Sequence, residues 1–146
     1  MNLLLVHGPN LNLLGERKPE VYGTTTLLDI EADVAAAAGA RGATVLSFQS
    51  NHEGSIIDFL HEHRKFAHGV VLNAGAYTHT SVALHDAIEA IQIPVVEVHI
   101  SNTHAREGFR HRSMIAPVCL GQVTGLGRSG YTVATNLLLD YLGAGK

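Results

Sequence analysis

Apolar residues along the chain fall either in short continuous runs or at the spacing of an amphipathic helix. Five short apolar runs predict strands, and the third, which has almost no polar alternation, is expected to be covered on both faces. These predicted strands are residues 3–6, 43–48, 69–72, 95–100 and 115–123. Pro117 in the last run has no amide hydrogen to donate, so we place that strand at an edge of the sheet.

Four stretches between or after the strands place apolar residues three and four positions apart, as on one face of a helix. Thr26 and Asp29 predict a capping box at the start of the first helix. Thr80 or Ser81 predicts the cap of the third helix. The predicted apolar faces are Leu27, Ile30, Val34 and Ala37 or Ala38; Ile56, Phe59 and Leu60, ending at residues 63–65; Leu84, Ala87, Ile88 and Ile91; and, within residues 131–142, Ala134, Leu137, Leu138 and Tyr141.

The alternation of strands and helices predicts a single α/β domain over residues 1–146, with a five-stranded parallel sheet and helices on both faces. In such a sheet, ligands bind beyond the carboxyl ends of the strands, where the strand order reverses. Polar residues follow four of the predicted strands, at Asn10, at Gln49 and Ser50, at Asn73, and at residues 99–101. We therefore expect one polar rim at this edge of the sheet.

Residues 8–23, GPNLNLLGERKPEVYG, form an unusually long connection between the first strand and the first helix. Such a connection usually needs ~2–6 residues, and longer ones serve as lids or binding segments or are disordered. Three leucines and two prolines argue against disorder. We interpret this segment as a lid, in which Arg17 and Tyr22 are close enough in sequence to meet over one site.

Composition excludes several classes of partner. The net charge of −3 provides no basic field for nucleic acid or an acidic membrane surface. No apolar run is long enough to span a bilayer, and the first ten residues lack the features of a secretion signal. Cys119 is the single cysteine, which indicates a reducing compartment and a packing role in the fifth strand. A cytoplasmic protein is expected.

Three common kinds of chemistry are disfavoured. Residues 125–130, GLGRSG, match a dinucleotide-binding pattern, but the required later strand does not fit in the 16 residues that follow, so we predict tight strand-to-helix packing. The ten histidines lack the spacing of a common metal site. The lysines, Lys18, Lys65 and Lys146, all lie outside the predicted strands, which argues against an imine mechanism.

An acid–base site remains. His99 lies at the end of an apolar strand, and Glu97 is two residues earlier on the same strand face. Tyr22 is a poor base at its ordinary pKa of ~10, but a neighbouring guanidinium such as that of Arg17 would favour the phenolate. The structural alternatives are a core histidine with satisfied hydrogen bonds at His99 and a packed hinge aromatic at Tyr22.

Five long segments in order resemble the type II 3-dehydroquinate dehydratases over nearly the whole chain. They are GPNLNLLGERKPEVYG, QSNHEG, VLNAGAYTHTSVALHDA, VEVHISNTHAREGFRHRS and GLGRSGY. The resemblance implies a flavodoxin-like three-layer sandwich and a homododecamer built as a tetramer of trimers. It also implies anti elimination of water from 3-dehydroquinate through an enolate, without Schiff base, metal or cofactor, in the shikimate pathway or in quinate catabolism. Lys18, His7 and Gly108 depart from the usual family pattern.

The resemblance also implies roles for individual residues. Tyr22, supported by Arg17 in the lid, would be the base, and His99 would be the acid that protonates the departing hydroxyl. Asn10 would help to hold the enolate oxygen. The substrate-binding residues implied are Asn73 and the backbone around Ile100 and Ser101 for the carboxylate, and His79, Asp86 and Arg110 for the ring hydroxyls, with Asp86 reaching in from a neighbouring subunit.

Two other function classes stay open at the level of the residues. A binding module for a small anion or nucleotide is suggested by the glycine-rich residues 125–130, and an oligomeric scaffold would use the lid for partner contacts. Neither alternative predicts turnover of 3-dehydroquinate. Formation of a conjugated enone therefore separates both of them from the enzyme.

Overall fold

The computed structural model describes residues 1–16 and 18–144, and for Tyr22 it describes the backbone alone. None of the described helices is long and apolar enough to cross a bilayer. The elements in chain order are β1 Asn2–His7, α1 Pro19–Tyr22, α2 Leu27–Gly39, β2 Thr44–Gln49, α3 Glu53–His63, β3 Gly69–Asn73, α4 Val82–Ile91, β4 Val95–His99, β5 Gly121–Thr124 and α5 Ser129–Gly143. Short 3-10 helices occupy Leu11–Leu13, Gly75–His79, Thr103–Ala105, Gly108–Arg110 and Ala116–Val118.

The five strands form one parallel sheet in the order β2-β1-β3-β4-β5. The predicted α/β architecture is confirmed, and the strand order is that of flavodoxin-like folds. The chain leaves β1 toward β2 on one side and later pairs β3 on the other side of β1. The order therefore reverses between β1 and β3, where His7 is the register partner of Asn73.

Two apolar cores cover the two faces of the sheet, because successive strand residues point to opposite sides. Leu3 and Leu5 of β1 pack in the core formed with α2 and α5. Leu4 and Val6 pack in the core formed with α3 and α4. Continuous apolar runs were therefore the correct signal for strands buried on both faces.

The predicted helix caps are confirmed. Thr26 Oγ1 accepts a hydrogen bond from the Asp29 amide at 3.2 Å, and the Asp29 carboxylate accepts from the Thr26 amide at 3.0 Å. This bonding lowers the pKa of the Asp29 carboxyl. Ser81 is the cap of α4, because its hydroxyl accepts from the Leu84 amide at 2.8 Å. These bonds satisfy amides that have no partner within the helix.

The predicted fifth strand over residues 115–123 is wrong in its first half. Ala116–Val118 forms a 3-10 turn, and the strand itself is only Gly121–Thr124. Pro117 fixes its own φ and suits the start of such a turn. The Ser113 hydroxyl accepts a hydrogen bond from the amide of Ala116, which holds the turn. The edge position of this strand was predicted correctly.

Cys119 consequently lies after a turn and not within a strand. Its side chain is partly buried against the core formed with α3 and α4, which fits the predicted packing role. Burial, together with the charge of Glu97, raises the pKa of the Cys119 thiol to about 12. The thiol is therefore protonated at neutral pH.

The predicted apolar face of the last helix is partly wrong. Ala134 and Leu138 are buried as predicted, but Leu137 is 54% exposed and Tyr141 is half-buried. The helix begins at Ser129, and its buried face is Gly130, Tyr131, Ala134, Thr135, Leu138 and Leu139. The face that packs on the sheet therefore includes Tyr131 and Thr135, two residues that the apolar pattern left out.

Candidate active site

A cleft of about 220 Å³ opens at the carboxyl ends of β1, β3 and β4, at the point where the strand order reverses. This is the rim that the sequence predicted. The residues lining the cleft are Pro9, Asn10, Leu11, Asn73, Gly75, Ala76, His79, His99, Ile100, Ser101, Thr103, Arg106 and Arg110.

The first residues of the lid are fixed to the sheet and to the loop after β2. The Gly8 amide donates to the Asn73 carbonyl at 2.7 Å. The Asn10 amide donates to Asn51 Oδ1 at 2.9 Å, and Asn10 adopts a left-handed conformation with φ 68°. Gln49 Nε2 donates to the Gly8 carbonyl at 3.1 Å. Gln49 was expected at the polar rim. It positions the first residues of the lid instead, and it does not line the cleft.

The two ends of the segment 16–23 lie close together. Gly15 has φ +93°, and a Cβ at this position would lie 3.2 Å from the Thr24 carbonyl oxygen and 3.3 Å from the Thr26 methyl group. Gly23 also has a positive φ, of 74°. Both positions therefore favour glycine, and the segment enters and leaves at nearly the same point.

Replacing Gly8 with Ala is expected to destabilise the protein by about 1–3 kcal/mol, the usual cost of overpacking. An added Cβ would lie 2.3 Å from the Ala74 carbonyl oxygen, so backbone must shift beside Asn73. Urea unfolding measures the loss, and KM should rise with it. Gly54→Ala in α3 is the matched control, because no atom lies within 4 Å of its added Cβ. Equal stability of the two variants would contradict this packing.

Asn73 is buried, and both ends of its amide are bonded. Its Oδ1 accepts from the Gly75 amide at 3.0 Å, and its Nδ2 donates to the Tyr131 hydroxyl at 2.8 Å. Tyr131 is fully buried, which raises the pKa of its phenol well above the usual value. The phenol is therefore neutral. Asn73 is held rigidly where the substrate carboxylate was predicted to bind.

His99 is backed by a buried carboxylate. Its Nε2 donates to Glu97 Oε2 at 2.5 Å, and Glu97 has no exposed surface. The Ser113 hydroxyl lies 2.9 Å and 3.1 Å from the two Glu97 oxygens. A buried carboxylate needs such partners. The arrangement fixes the orientation of an imidazole that lines the cleft, as the shared strand face of Glu97 and His99 predicted.

A second imidazole stands beside the first. The His79 and His99 rings are stacked, with centroids 6.2 Å apart and planes inclined by 21°. His79 Nδ1 donates to the Arg112 carbonyl oxygen at 2.7 Å. Nδ1 therefore carries the hydrogen, and Nε2 is left as an acceptor in the neutral ring. His79 can accept a hydrogen bond from a ligand hydroxyl in the cleft.

Two arginines in the loop after β4 line one side of the cleft. Arg110 Nε donates to Glu107 Oε1 at 3.1 Å, and Arg106 donates to the Ser101 hydroxyl at 3.3 Å. Arg106 Nε also lies 3.7 Å from Glu107 Oε1, so one carboxylate lies between both guanidiniums. A hydrogen bond from its own backbone amide lowers the pKa of the Glu107 carboxyl, and the two arginines lower it further. Their positive charges suit an anionic ligand.

The structure brings seven of the ten predicted site residues to the cleft. Asp86 is an exception, because its side chain is 69% exposed on α4 and accepts from His85 Nδ1 at 3.0 Å, away from this chain's own cleft. Arg17 lies outside the described residues, and so does the Tyr22 side chain. The seven residues that line the cleft are Asn10, Asn73, His79, His99, Ile100, Ser101 and Arg110.

The helix α1, which ends at Tyr22, lies beside the cleft. Its residues Glu20 and Val21 line an adjoining pocket of about 590 Å³ together with Ile100 and Ser101. The glycine-rich residues 125–130 contribute to the same pocket. A Cβ at Gly130 would lie 3.5 Å from a Val123 methyl group, in agreement with the predicted close packing of strand and helix.

Sequence reasoning missed Thr103, Ser113 and Tyr131. Thr103 lines the cleft, and nothing in the sequence pattern distinguishes it from other loop residues. Ser113 acts on His99 only through Glu97, a contact across 16 positions of chain. Tyr131 offered a usable signal, because a buried tyrosine hydroxyl generally has a hydrogen-bond partner.

His7 is a fully buried residue behind the cleft. Burial lowers the pKa of its imidazole to about 4, so the ring is neutral at physiological pH. Its Nε2 lies 3.6 Å from Glu31 Oε2, and neither ring nitrogen has a hydrogen-bond partner among the described residues. The described part of the chain also contains no group of three or more His, Cys, Asp or Glu side chains placed to hold a metal ion.

The family model for class II dehydroquinases matches residues 1–139. The chain belongs to the class II dehydroquinase family. It is 56% identical over 141 residues to a 3-dehydroquinate dehydratase of Ruegeria pomeroyi, covering 97% of this chain and 95% of that protein. It is 58% identical over 136 residues to a 3-dehydroquinate dehydratase of Rhizobium johnstonii, covering 93% and 94%.

Solved structures of the dehydroquinase family share the fold. The type II dehydroquinase from Butyrivibrio crossotus superposes with a TM-score of 0.93 at 42% identity, covering 95% of this chain and 97% of that one. The type II dehydroquinase from Propionibacterium acnes gives a TM-score of 0.91 at 37% identity, covering 95% and 96%. The flavodoxin-like expectation and the family resemblance are both confirmed.

Proposed function

We propose that the chain is a type II 3-dehydroquinate dehydratase, which eliminates water from 3-dehydroquinate to give 3-dehydroshikimate. The observation that carries this proposal is the Glu97-backed imidazole of His99, which faces the same cleft as Asn73 and Asn10. Elimination next to a ketone needs a base for the α-proton, an acid for the β-hydroxyl and polar stabilisation of an enolate. Relatives more than 50% identical carry this enzyme's name.

Asn73 and the backbone of Ile100 and Ser101 bind the substrate carboxylate in this proposal. Support comes from the Asn73 amide, which is buried and held at both ends at the edge of the cleft. His79 and Arg110 meet the ring hydroxyls, as an acceptor and a donor respectively. The His79 and Arg110 side chains both line the cleft.

His99 acts as the general acid and delivers a proton to the departing hydroxyl. The hydrogen bond from Nε2 to Glu97 leaves Nδ1 as the nitrogen available to the cleft. The buried Glu97 carboxylate accepts this bond and holds the ring with Nδ1 turned toward the cleft. Glu97 is therefore assigned as the residue that orients His99.

Tyr22 acts as the base that removes the proton from C2, with Arg17 favouring its phenolate. This assignment follows from the family resemblance and from the position of α1 beside the cleft wall. Asn10 helps to hold the enolate oxygen that forms, from its place at the cleft edge. The base and the acid act on opposite sides of the ring, which gives anti elimination. Every step uses side chains of the protein, without a Schiff base.

Asp86 completes the site of a neighbouring subunit in this proposal. Its exposed carboxylate lies away from its own cleft, as a residue that serves another chain would. The corresponding assembly is a homododecamer, a tetramer of trimers. We place the enzyme in the cytoplasm, in the shikimate pathway or in quinate catabolism, which share this chemical step.

Ultraviolet absorbance during incubation with 3-dehydroquinate tests the proposed function directly. The conjugated enone of the product should appear with equal rates in the presence and absence of a chelator. Borohydride added together with substrate should leave the enzyme active, because no imine forms. Absence of the enone signal from folded protein would favour a binding module or a scaffold. Covalent trapping on a lysine would refute the imine-free route.

A further inference from the structure

Tyr131 lies on the buried face of α5, directly behind the cleft. It is among the largest side chains with no exposed surface, and it packs in the core formed with α2 and α5. Its ring stands 6.1 Å from the His7 ring, inclined by 53°. A phenol in such surroundings has few possible hydrogen-bond partners, and its oxygen accepts from Asn73 Nδ2 at 2.8 Å.

The orientation of the Asn73 amide is fixed by its other bond. The Gly75 amide can only donate, so the Asn73 atom that faces it at 3.0 Å must be the acceptor Oδ1. Nδ2 consequently points toward the phenol oxygen. Within residues 1–16 and 18–144, the second hydrogen of Nδ2 has no acceptor. Asn73 lines the cleft, where that hydrogen can meet a ligand.

The Gly75 amide selects this orientation over the flipped one. In the flipped amide, the Asn73 nitrogen would face the Gly75 amide, and two donors would oppose each other. The phenol also prevents rotation of the side chain into the core, since it holds one Nδ2 hydrogen. His7, the adjacent titratable group, is neutral. The contact between Tyr131 and Asn73 is therefore one between neutral groups.

We propose that Tyr131 is a positioning residue for anion recognition, which turns one Nδ2 hydrogen of Asn73 into the cleft as a donor to the substrate carboxylate. This inference rests on the proposed function and assigns to α5 a part in substrate binding. This role explains why the first turn of α5 buries the Tyr131 hydroxyl beneath the cleft. The role is exerted through Asn73, without contact between Tyr131 and the substrate.

The substitution Tyr131→Phe removes only the acceptor oxygen. We expect KM for 3-dehydroquinate to rise about 5- to 15-fold, the effect of one hydrogen bond, with kcat changed by less than about threefold. KM should change more than kcat because the carboxylate contact is made equally in the ground state and the transition state. Tyr141→Phe, in the same helix and half-buried, is the matched control and should leave KM unchanged.

A double-mutant cycle separates positioning from general loss of structure. In an Asn73→Ala background, Tyr131→Phe should raise KM no further, because the residue through which it acts is absent. The same KM factor in both backgrounds would overturn the inference, as would unchanged KM in Tyr131→Phe itself. If the wild-type chain does not turn over 3-dehydroquinate, the proposed function fails and the cycle on KM does not apply.

A measurement on the wild-type chain covers the case in which Tyr131→Phe does not fold. Protein labelled with 15N at asparagine should show one Asn73 side-chain amide proton protected from solvent exchange and one unprotected in the absence of substrate. Addition of a carboxylate-bearing, product-like inhibitor should protect the second proton. Rapid exchange of both protons in the free protein, or an unprotected second proton with inhibitor bound, would overturn the inference.

Discussion

Replacing His99 with Gln is expected to reduce kcat by about 10²- to 10⁴-fold, the usual contribution of a general acid. Gln retains a hydrogen-bonding side chain next to Glu97 but cannot deliver a proton at neutral pH. Expulsion of the hydroxyl would then depend on water. KM should change much less, since Asn73 and Arg110, which are proposed to bind the substrate, are unchanged. Steady-state kinetics of enone formation measures both quantities.

The matched control for this substitution is His61→Gln. His61 is an exposed residue of α3, remote from the cleft, and its replacement should leave both kcat and KM unchanged. A His99→Gln enzyme with the wild-type kcat would remove His99 from the mechanism. The Glu97 contact would then have a purely structural meaning.

Tyr22→Phe is expected to reduce kcat by about 10²- to 10⁴-fold, because the phenol oxygen proposed to accept the C2 proton is lost. Substrate affinity should be nearly unchanged, since the ring remains in the lid. Exchange of the substrate C2 hydrogen with deuterium oxide provides a second readout. It should fall together with kcat if Tyr22 is the base.

Tyr141→Phe serves as the control for the chemical change from tyrosine to phenylalanine. A Tyr22→Phe enzyme that still exchanges the C2 hydrogen at the wild-type rate would assign proton removal to another group. Loss of exchange in His99→Gln with retention in Tyr22→Phe would reverse the assignment of acid and base. The two variants therefore test which residue is the acid and which is the base, as well as whether both take part.

The apolar pattern predicted most of the fold because β1, β3 and β4 are covered on both faces. The apolar runs of β1 and β3, and that of β4 apart from Glu97 and His99, are visible without knowledge of neighbours. The pattern failed where local polar bonds decide the structure. Pro117 and the Ser113 hydroxyl convert the first half of an apolar run into a turn. Leu137 satisfies the helical spacing but points to solvent, because the sheet packs against the adjacent face.

The site was predictable where a residue ends one of the central strands β3 and β4. Asn73 and His99 end buried strands, and the parallel sheet brings those ends to one rim. Glu97 followed from strand alternation alone. Ser113 and Tyr131 were missed because their roles depend on contacts across 16 and 58 positions of chain, which periodicity does not encode.

The position of Asp86 requires a different explanation. The Asp86 carboxylate is exposed on α4. The role proposed for it in the site of a neighbouring subunit follows only from the family resemblance. A residue that acts between subunits leaves no periodic signal in its own chain. The lid itself was predicted from its length and composition, but the roles of Tyr22 as base and Arg17 as its support are carried over from the resemblance.

The close approach of Gly15 to Thr24 makes residues 16–23 of the lid a loop whose two ends lie side by side. A segment whose two ends touch closes on itself, so its length changes the entropy of closure only slowly. The segment between Gly15 and Thr24 could be replaced by the corresponding segment of a relative, while the sheet and its rim keep their geometry. Evolution within this scaffold can thus revise the group proposed to abstract the proton independently of the residues proposed to hold the anion.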